Sequence, residues 1–436
     1  MSENNLKEGI FDARQLGIPK MLILGIQHTF AMFGATVLVP LLTGLDVATT
    51  LLLAGLGTLV FHLCTKGQVP VFLGSSFAFL GGYAAVAPMV DGVPNVEKLP
   101  YAAGGVFCAG LVYVVFSALI KVFGAKKVMK FFPPVVTGPI IIAIGLILAP
   151  SAINNCASNW TVAFIALATI IICNIWGKGM IKIVPIIIGI LVSYVAALAM
   201  GEVSFEAVAN ESRIFALAPI TMMKFDASAI ITIMPIALAT VMEHIGDISA
   251  ISATTGKNYI ASPGLHRTLL GDGIATSFSA AFGGPANTTY GENTGVLALT
   301  KVYDPRVIQI AAVTSILLSC LPKFSALVNT IPASIIGGVS LILYGMISAI
   351  GVRNVVENQV DFTESRNLII AAVILVSALG FNSIGGITFH IAGAAITLSG
   401  LALAAIAGIV LNAILPGNTY EFNAPDEGSQ SINFKV

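Results

Sequence analysis

The sequence predicts an all-α polytopic membrane protein whose fourteen transmembrane segments form two inverted halves of seven. Three observations carry that prediction: the scarcity of charge, the spacing of charge-free windows about one long polar loop, and a glycine- and proline-broken third segment in each half. Of 436 residues only 21 are basic and 21 acidic, 10% in all, against roughly 25% in soluble domains. The apolar fraction is 56% and the mean hydropathy +0.94, more hydrophobic surface than one aqueous core buries, so the remainder faces lipid. Zero net charge argues against a nucleic-acid partner, which needs a concentrated cationic surface.

A membrane helix needs about 20 residues at ~1.5 Å rise to cross ~30 Å of hydrocarbon. The opening MSENNLKEGIFDARQLGIPK is mixed in charge and lacks an apolar stretch ending in a cleavage site, so the first segment is expected to act as its own signal. Charge-free windows then lie near 21–45, 47–65, 70–90, 101–120, 133–150, 159–176 and 183–201. Residues 202–226 hold Glu202, Glu206, Glu211, Arg213, Lys224 and Asp226, more charge than membrane depth tolerates, and so divide the chain. The second half gives windows near 228–250, 267–284, 288–300, 307–322, 332–352, 367–380 and 393–415. The closing NTYEFNAPDEGSQSINFKV reads as a polar, disordered tail.

Positive charge orients these windows. With the N-terminus inside, all of the 21 basic residues except Lys98, Arg213, Lys224 and Lys323 fall on the cytoplasmic side. Both termini are therefore expected to be cytoplasmic in a multi-pass protein of the cytoplasmic membrane. The five cysteines, Cys64, Cys108, Cys156, Cys173 and Cys320, sit singly without metal or redox spacing and read as small core hydrophobes.

Seven is odd, so two halves of one fold enter the membrane in opposite orientation, the inverted-repeat plan of many secondary transporters. Each half breaks at its third segment: GQVPVFLGSSFAFLGG at 67–82 and GGPANTTYGENTG at 283–295. Irregular backbone at membrane depth survives only against protein or a cavity, so these two places point to a midplane binding site. Two half-helix N-termini there aim free N–H groups at one ligand.

Charges inside the segments are few and therefore informative. Glu243 and Asp247 stand four residues apart in IALATVMEHIGDISA and project from one helical face, with His244 turned about 100° away. Glu292 lies in the broken tenth segment. A carboxylate at the bilayer centre costs at least ~2.5 kcal/mol, so a functional reading takes precedence over a structural polar lock. Such a group of carboxylates suits proton coupling and a ligand with N–H donors, carbonyl acceptors and a flat face for Phe77 or Tyr290. A nucleobase, a small amide and an inorganic cation all meet that description.

The run ENTGVLALTK at 292–301 resembles the signature of the nucleobase/ascorbate transporter family, the nucleobase:cation symporters. Gln27-His28 followed by AMFGATVLVP, GSSFAF at 74–79, Glu243 in segment eight and NTTYGEN at 287–293 agree with it, over residues 18 to 415. A glutamate opening the signature resembles the uracil-carrying branch. The resemblance implies that Glu243 and Glu292 accept hydrogen bonds from pyrimidine ring nitrogens and that the backbone N–H groups of Phe77 and Gly291 meet its carbonyls, with Ala35 and Tyr290 shaping the pocket. Proton coupling falls to Glu243, Glu292, Asp247 and His28, with a co-transported proton and no other cofactor. It further implies a core domain at 18–130 and 227–323, a gate domain at 131–201 and 330–415, short antiparallel strands in segments 3 and 10, and a homodimer in the lipid bilayer.

Asp247 departs from the uracil branch, and E-x-x-G-D is closer to purine carriers, which keeps a xanthine or purine symporter as the alternative. An intramembrane enzyme is disfavoured, because EHIGD lacks the H-E-x-x-H order and no Ser-His or Asp-Asp arrangement stands out. A channel gives no reason for inverted halves. His62, His266 and His390 read as structural or interfacial, and Asp272 in LLGDGIATS receives no role from the resemblance.

Overall fold

The computed structural model describes residues 9–89, 93–391, 394–417 and 420. The polar tail at 418–436 thus lies almost wholly outside the described residues. Among the described residues a helix overlaps each of the predicted windows: α1 (Ile18–Thr43), α2 (Val47–Cys64), α3 (Phe77–Val86), α4 (Leu99–Phe123), α5 (Pro134–Cys156), α6 (Trp160–Trp176), α7 (Pro185–Ala199), α8 (Ala227–Thr255), α9 (Leu265–Ala281), α10 (Gly291–Thr300), α11 (Pro305–Ser319), α12 (Ala333–Glu357), α13 (Ser365–Ser383) and α14 (Gly400–Ile414). Among the described residues, seven of these are long and apolar enough to cross a membrane, or eight if α11 and the short helix Pro322–Val328, bent from it by 91°, count as one span.

Local chemistry sets the helix ends. Asp46, Asp226 and Asp304 accept hydrogen bonds from backbone N–H groups at the starts of α2, α8 and α11, as Asn159 and Ser399 do for α6 and α14. Pro residues sit in the first turn of α1, α4, α5, α7 and α11, where no intrahelical N–H is lost.

Among the described residues two short antiparallel ribbons interrupt the helices. Strands β1 (Leu73–Ser75) and β2 (Asn287–Thr289) pair as Leu73 with Thr289, Gly74 with Thr288 and Ser75 with Asn287. Strands β3 (Ile387–Ile391) and β4 (Ala394–Leu398) form a hairpin before α14. That hairpin corrects the window at 393–415: residues 394–398 are strand, and the helix starts only at Gly400. ITFHI and AAITL are rich in β-favouring residues, and Gly385 and Gly386 break the preceding helix with φ of 81° and 90°. A charge-free window alone does not separate strand from helix.

The helices pack as α5 on α12, α4 on α9, α2 on α11, α6 on α7 and α13 on α14, with α6 also on α12 and α13 on α5. At the α5–α12 crossing, a Cβ on Gly145 would stand 2.2 Å from the Tyr344 carbonyl oxygen, so the backbones meet only because glycine is there. Cys156 and Cys173 are buried and all five cysteines are unpaired.

Candidate functional site

The ribbon of β1 and β2 lies deep in the protein, with all six residues buried. Its outward backbone groups need partners there. Thr58 of α2 accepts from the Leu73 N–H at 2.9 Å and donates to its carbonyl at 3.2 Å, and Thr276 of α9 donates to the Asn287 carbonyl at 2.9 Å. The pairing closes at each end with Ser76 N–H on the Ala286 carbonyl (2.9 Å) and Tyr290 N–H on the Phe72 carbonyl (3.1 Å).

The next residue along each strand opens a half-length helix. Both α3 and α10 run ten residues, roughly 15 Å, about half of a bilayer's hydrocarbon. Phe77 and Gly291 are their first residues, so their N–H groups have no acceptor within the helix. Tyr290 fixes the junction. Its hydroxyl donates to the Ser75 carbonyl at 2.9 Å and accepts from Thr36 at 3.3 Å, while its ring covers Gly74, where a Cβ would stand 2.3 Å from the ring.

Glu292 is the second residue of α10. Together with Gly291, Gly295, Ala298 and Leu299 it lines a cavity of about 440 Å³, whose other walls include Phe30 and Ala31 of α1, Asn174 of α6, Ile186 of α7, Met346 of α12 and Lys182 from the short helix Met180–Ile183 before α7. That volume lies in the range of small-ligand sites, roughly 300–1,000 Å³. Glu243 and Asp247 of α8 are half-buried and are not among the lining residues, and Glu243 is within electrostatic reach of Asp247, Asp272 and Glu292. Asp247 accepts a 2.5 Å hydrogen bond from Thr289, which ties α8 to the ribbon.

Of the residues singled out in the sequence, Gly291 and Glu292 line the cavity. Glu243 and Asp247 do not line it but interact electrostatically with Glu292, and Tyr290 lies two residues before Glu292 along the chain. Ala35 is fully buried, in one apolar cluster with Met32, Phe72 and Tyr290. Phe77 is half-buried and meets the Tyr344 ring edge-on at 6.4 Å. His28 is buried and faces α10: the Asn293 side-chain amide lies 3.0 Å from its Nδ1 and donates to its carbonyl at 3.2 Å.

Three relationships were invisible in the sequence. The first is this bridge of Asn293 to His28, the second the Thr289 bond to Asp247. The third is a pair between His244 and Asp272, Nδ1 to Oδ2 at 2.7 Å, with neither side chain exposed. Each residue was visible as a polar group in an apolar segment, but the partners lie on elements far apart in the chain.

The model of the Permease family matches residues 19–385. The uracil permease of Bacillus caldolyticus is 42% identical over 94% of this chain and 96% of its own, and the probable uracil permease of Pasteurella multocida is 42% identical over 91% and 94%. The putative pyrimidine permease RutG of Escherichia coli is 36% identical over 94% of this chain and 93% of its own. Among solved structures, the transmembrane domain of the cyanobacterial bicarbonate transporter BicA superposes with a TM-score of 0.59 at 16% identity, covering 93% of this chain and 99% of that one. SLC26A9 superposes with a TM-score of 0.65 at 12% identity, covering 92% and 65%. The fold is thus that of a helical polytopic membrane transporter, and the chain belongs to the permease family.

Proposed function

We propose that this protein carries uracil across the cytoplasmic membrane together with a proton, by alternating access. The observation that carries the proposal is Glu292 in the first turn of a half-length helix, lining a ligand-sized cavity and within electrostatic reach of Glu243 and Asp247. Relatives that match nearly the whole chain are named uracil permeases, and this supports uracil over purines despite Asp247. In the bound state Glu243 and Glu292 accept from the ring N–H groups, and the N–H groups of Phe77 and Gly291 meet the carbonyls. Ala35 supports Tyr290 from behind. Carboxyl groups this close bind and release a proton as a unit, which couples proton to substrate, with His28 holding α10 to α1.

The reading includes fourteen segments as a 7+7 inverted repeat, and several pairings support it. Thr58 is the twelfth residue of α2 and Thr276 the twelfth of α9, and each satisfies the first residue of the following strand. The contact of α4 with α9 has its counterpart in α11 with α2, that of α6 with α7 in α13 with α14, and that of α5 with α13 in α12 with α6. A core domain at 18–130 and 227–323 and a gate domain at 131–201 and 330–415 place the cavity at their boundary, since α1 and α10 fall in the one and α6, α7 and α12 in the other. Both termini are cytoplasmic and the carrier is a homodimer in this reading, which cross-linking in intact membranes tests.

The deciding experiment is uptake of labelled uracil by proteoliposomes under an inward proton gradient, with a protonophore control and excess xanthine as competitor. Accumulation that collapses with the protonophore and ignores xanthine supports the proposal. Uptake of xanthine in place of uracil turns the assignment to purines and to Asp247.

A further inference from the structure

A second cavity shares no lining residue with the first. It measures about 20 Å³ and is lined by Ala78 and Gly81 of α3, Leu148 of α5, Ile236 of α8, Asn382 of α13 and Leu401 of α14. A space that small admits about one water molecule. Its walls are nevertheless not arbitrary. The large cavity is bounded by α1, α6, α7, α10 and α12. Advancing each by seven helices, and returning to the start after fourteen, gives α8, α13, α14, α3 and α5, the five elements that bound the small one.

The correspondence extends to single positions. Glu292 and Ala78 are each the second residue of a half-length helix, and Gly295 and Gly81 each the fifth. Neither glycine has an atom within 4 Å of where a Cβ would stand, so both face free space. Asn174 and Asn382 each sit in the last turn of their helix, α6 and α13, and each lines its cavity. The small cavity is otherwise bounded by aliphatic groups, glycine and Ser399, whose hydroxyl is committed to the Ala402 N–H at 3.3 Å.

We infer that the small cavity is the second mouth of the substrate path, closed in this state, and that Asn382 is the specificity-determining contact on it. This rests on the carrier reading above. A path leaks if both mouths open together, so one large and one collapsed cavity of matching build are the two ends of one alternation. The carboxamide of Asn382 offers a donor beside an acceptor, the complement of the N–H and C=O that adjoin on the edge of a nucleobase. Aliphatic walls alone cannot make that discrimination.

The test replaces the five native cysteines and introduces Gly81→Cys with Leu148→Cys, to be joined by a short bismaleimide. Uptake before cross-linking establishes that the variant folds. Cross-linking is expected to lower uracil uptake by about a hundredfold, the scale of a 1:99 population, while uracil binding to the purified protein stays within about twofold. Uptake unchanged by cross-linking makes the cavity a static seam and overturns the inference. An arm that needs no substrate labels Asn174→Cys and Asn382→Cys with an impermeant maleimide. The two are expected to react from opposite faces of the membrane, and reaction of both from one face overturns it as well. Absent uracil uptake in the uncross-linked variant and in wild type, with labelling from opposite faces, defeats the uracil reading and leaves the second mouth standing. Asn382→Ala is expected to narrow the preference for uracil over xanthine about tenfold, as loss of one paired contact does, and an unchanged preference removes Asn382 from the proposal.

Discussion

The imidazole Nδ1 of His244 stands 2.7 Å from Oδ2 of Asp272, and the two side chains, on α8 and α9, are both closed off from solvent. His244 Nε2 and Asp272 Oδ1 find no further partner among the described residues, so each group depends on the other. Removing one leaves a buried polar group uncompensated, which costs about 3–5 kcal/mol where the pair is charged. His244→Leu is therefore expected to lower the unfolding temperature in detergent steeply, and the double variant His244→Leu with Asp272→Leu to recover most of the loss. An equal loss in both proteins would show that the pair holds nothing together.

The bond from Thr289 to Asp247 ties the ribbon to α8. Thr289→Val keeps the shape and deletes the donor, at a cost of about 1–3 kcal/mol for the unmatched carboxyl group. The pH profile of uptake is expected to shift in Thr289→Val and to return in Thr289→Ser. A profile identical to wild type in the valine variant would separate Asp247 from proton handling.

Tyr290 rests on a position where only glycine fits. Gly74→Ala drives a methyl group to 2.3 Å from the Tyr290 ring, and overpacking of that kind costs about 1–3 kcal/mol. Because Tyr290 precedes Gly291, uracil affinity measured by calorimetry is expected to fall together with thermal stability. Loss of stability at full affinity would mean that the ring supports the fold without shaping the ligand site.

Glu292 and Glu243 are expected to fail differently when neutralised. Glu292→Gln, at the cavity wall, is expected to abolish uracil uptake or redirect substrate choice. Glu243→Gln, outside the cavity lining, is expected to leave a folded carrier that equilibrates uracil without concentrating it. Proteoliposome uptake with and without a proton gradient separates the two, and wild-type accumulation in either variant excludes that residue.

The sequence made the broken segments legible because their cause is local: glycine, proline and β-favouring residues at 67–82 and 283–295 announce an interruption without any tertiary information. The same holds for Glu243, Asp247 and Glu292, since a carboxyl group in an apolar window stands out alone. The β3–β4 hairpin was missed because ITFHI and AAITL are as free of charge as a helix. Pairings such as Asn293 with His28, or His244 with Asp272, depend on which helices become neighbours, and no periodicity within one segment contains that.

The ribbon of β1 and β2 joins Leu73 to Thr289 across about half the length of the chain. During synthesis the first strand therefore enters the bilayer long before its partner exists. Its backbone groups have Thr58 to lean on but no ladder, and hydrocarbon offers no water to fill the gap. The nascent first half is consequently an unfinished object, exposed to chaperones and proteases of the membrane until β2 arrives. Assembly of the candidate site and closure of the ribbon both wait on β2, so a chain that stops short of Asn287 forfeits both at once.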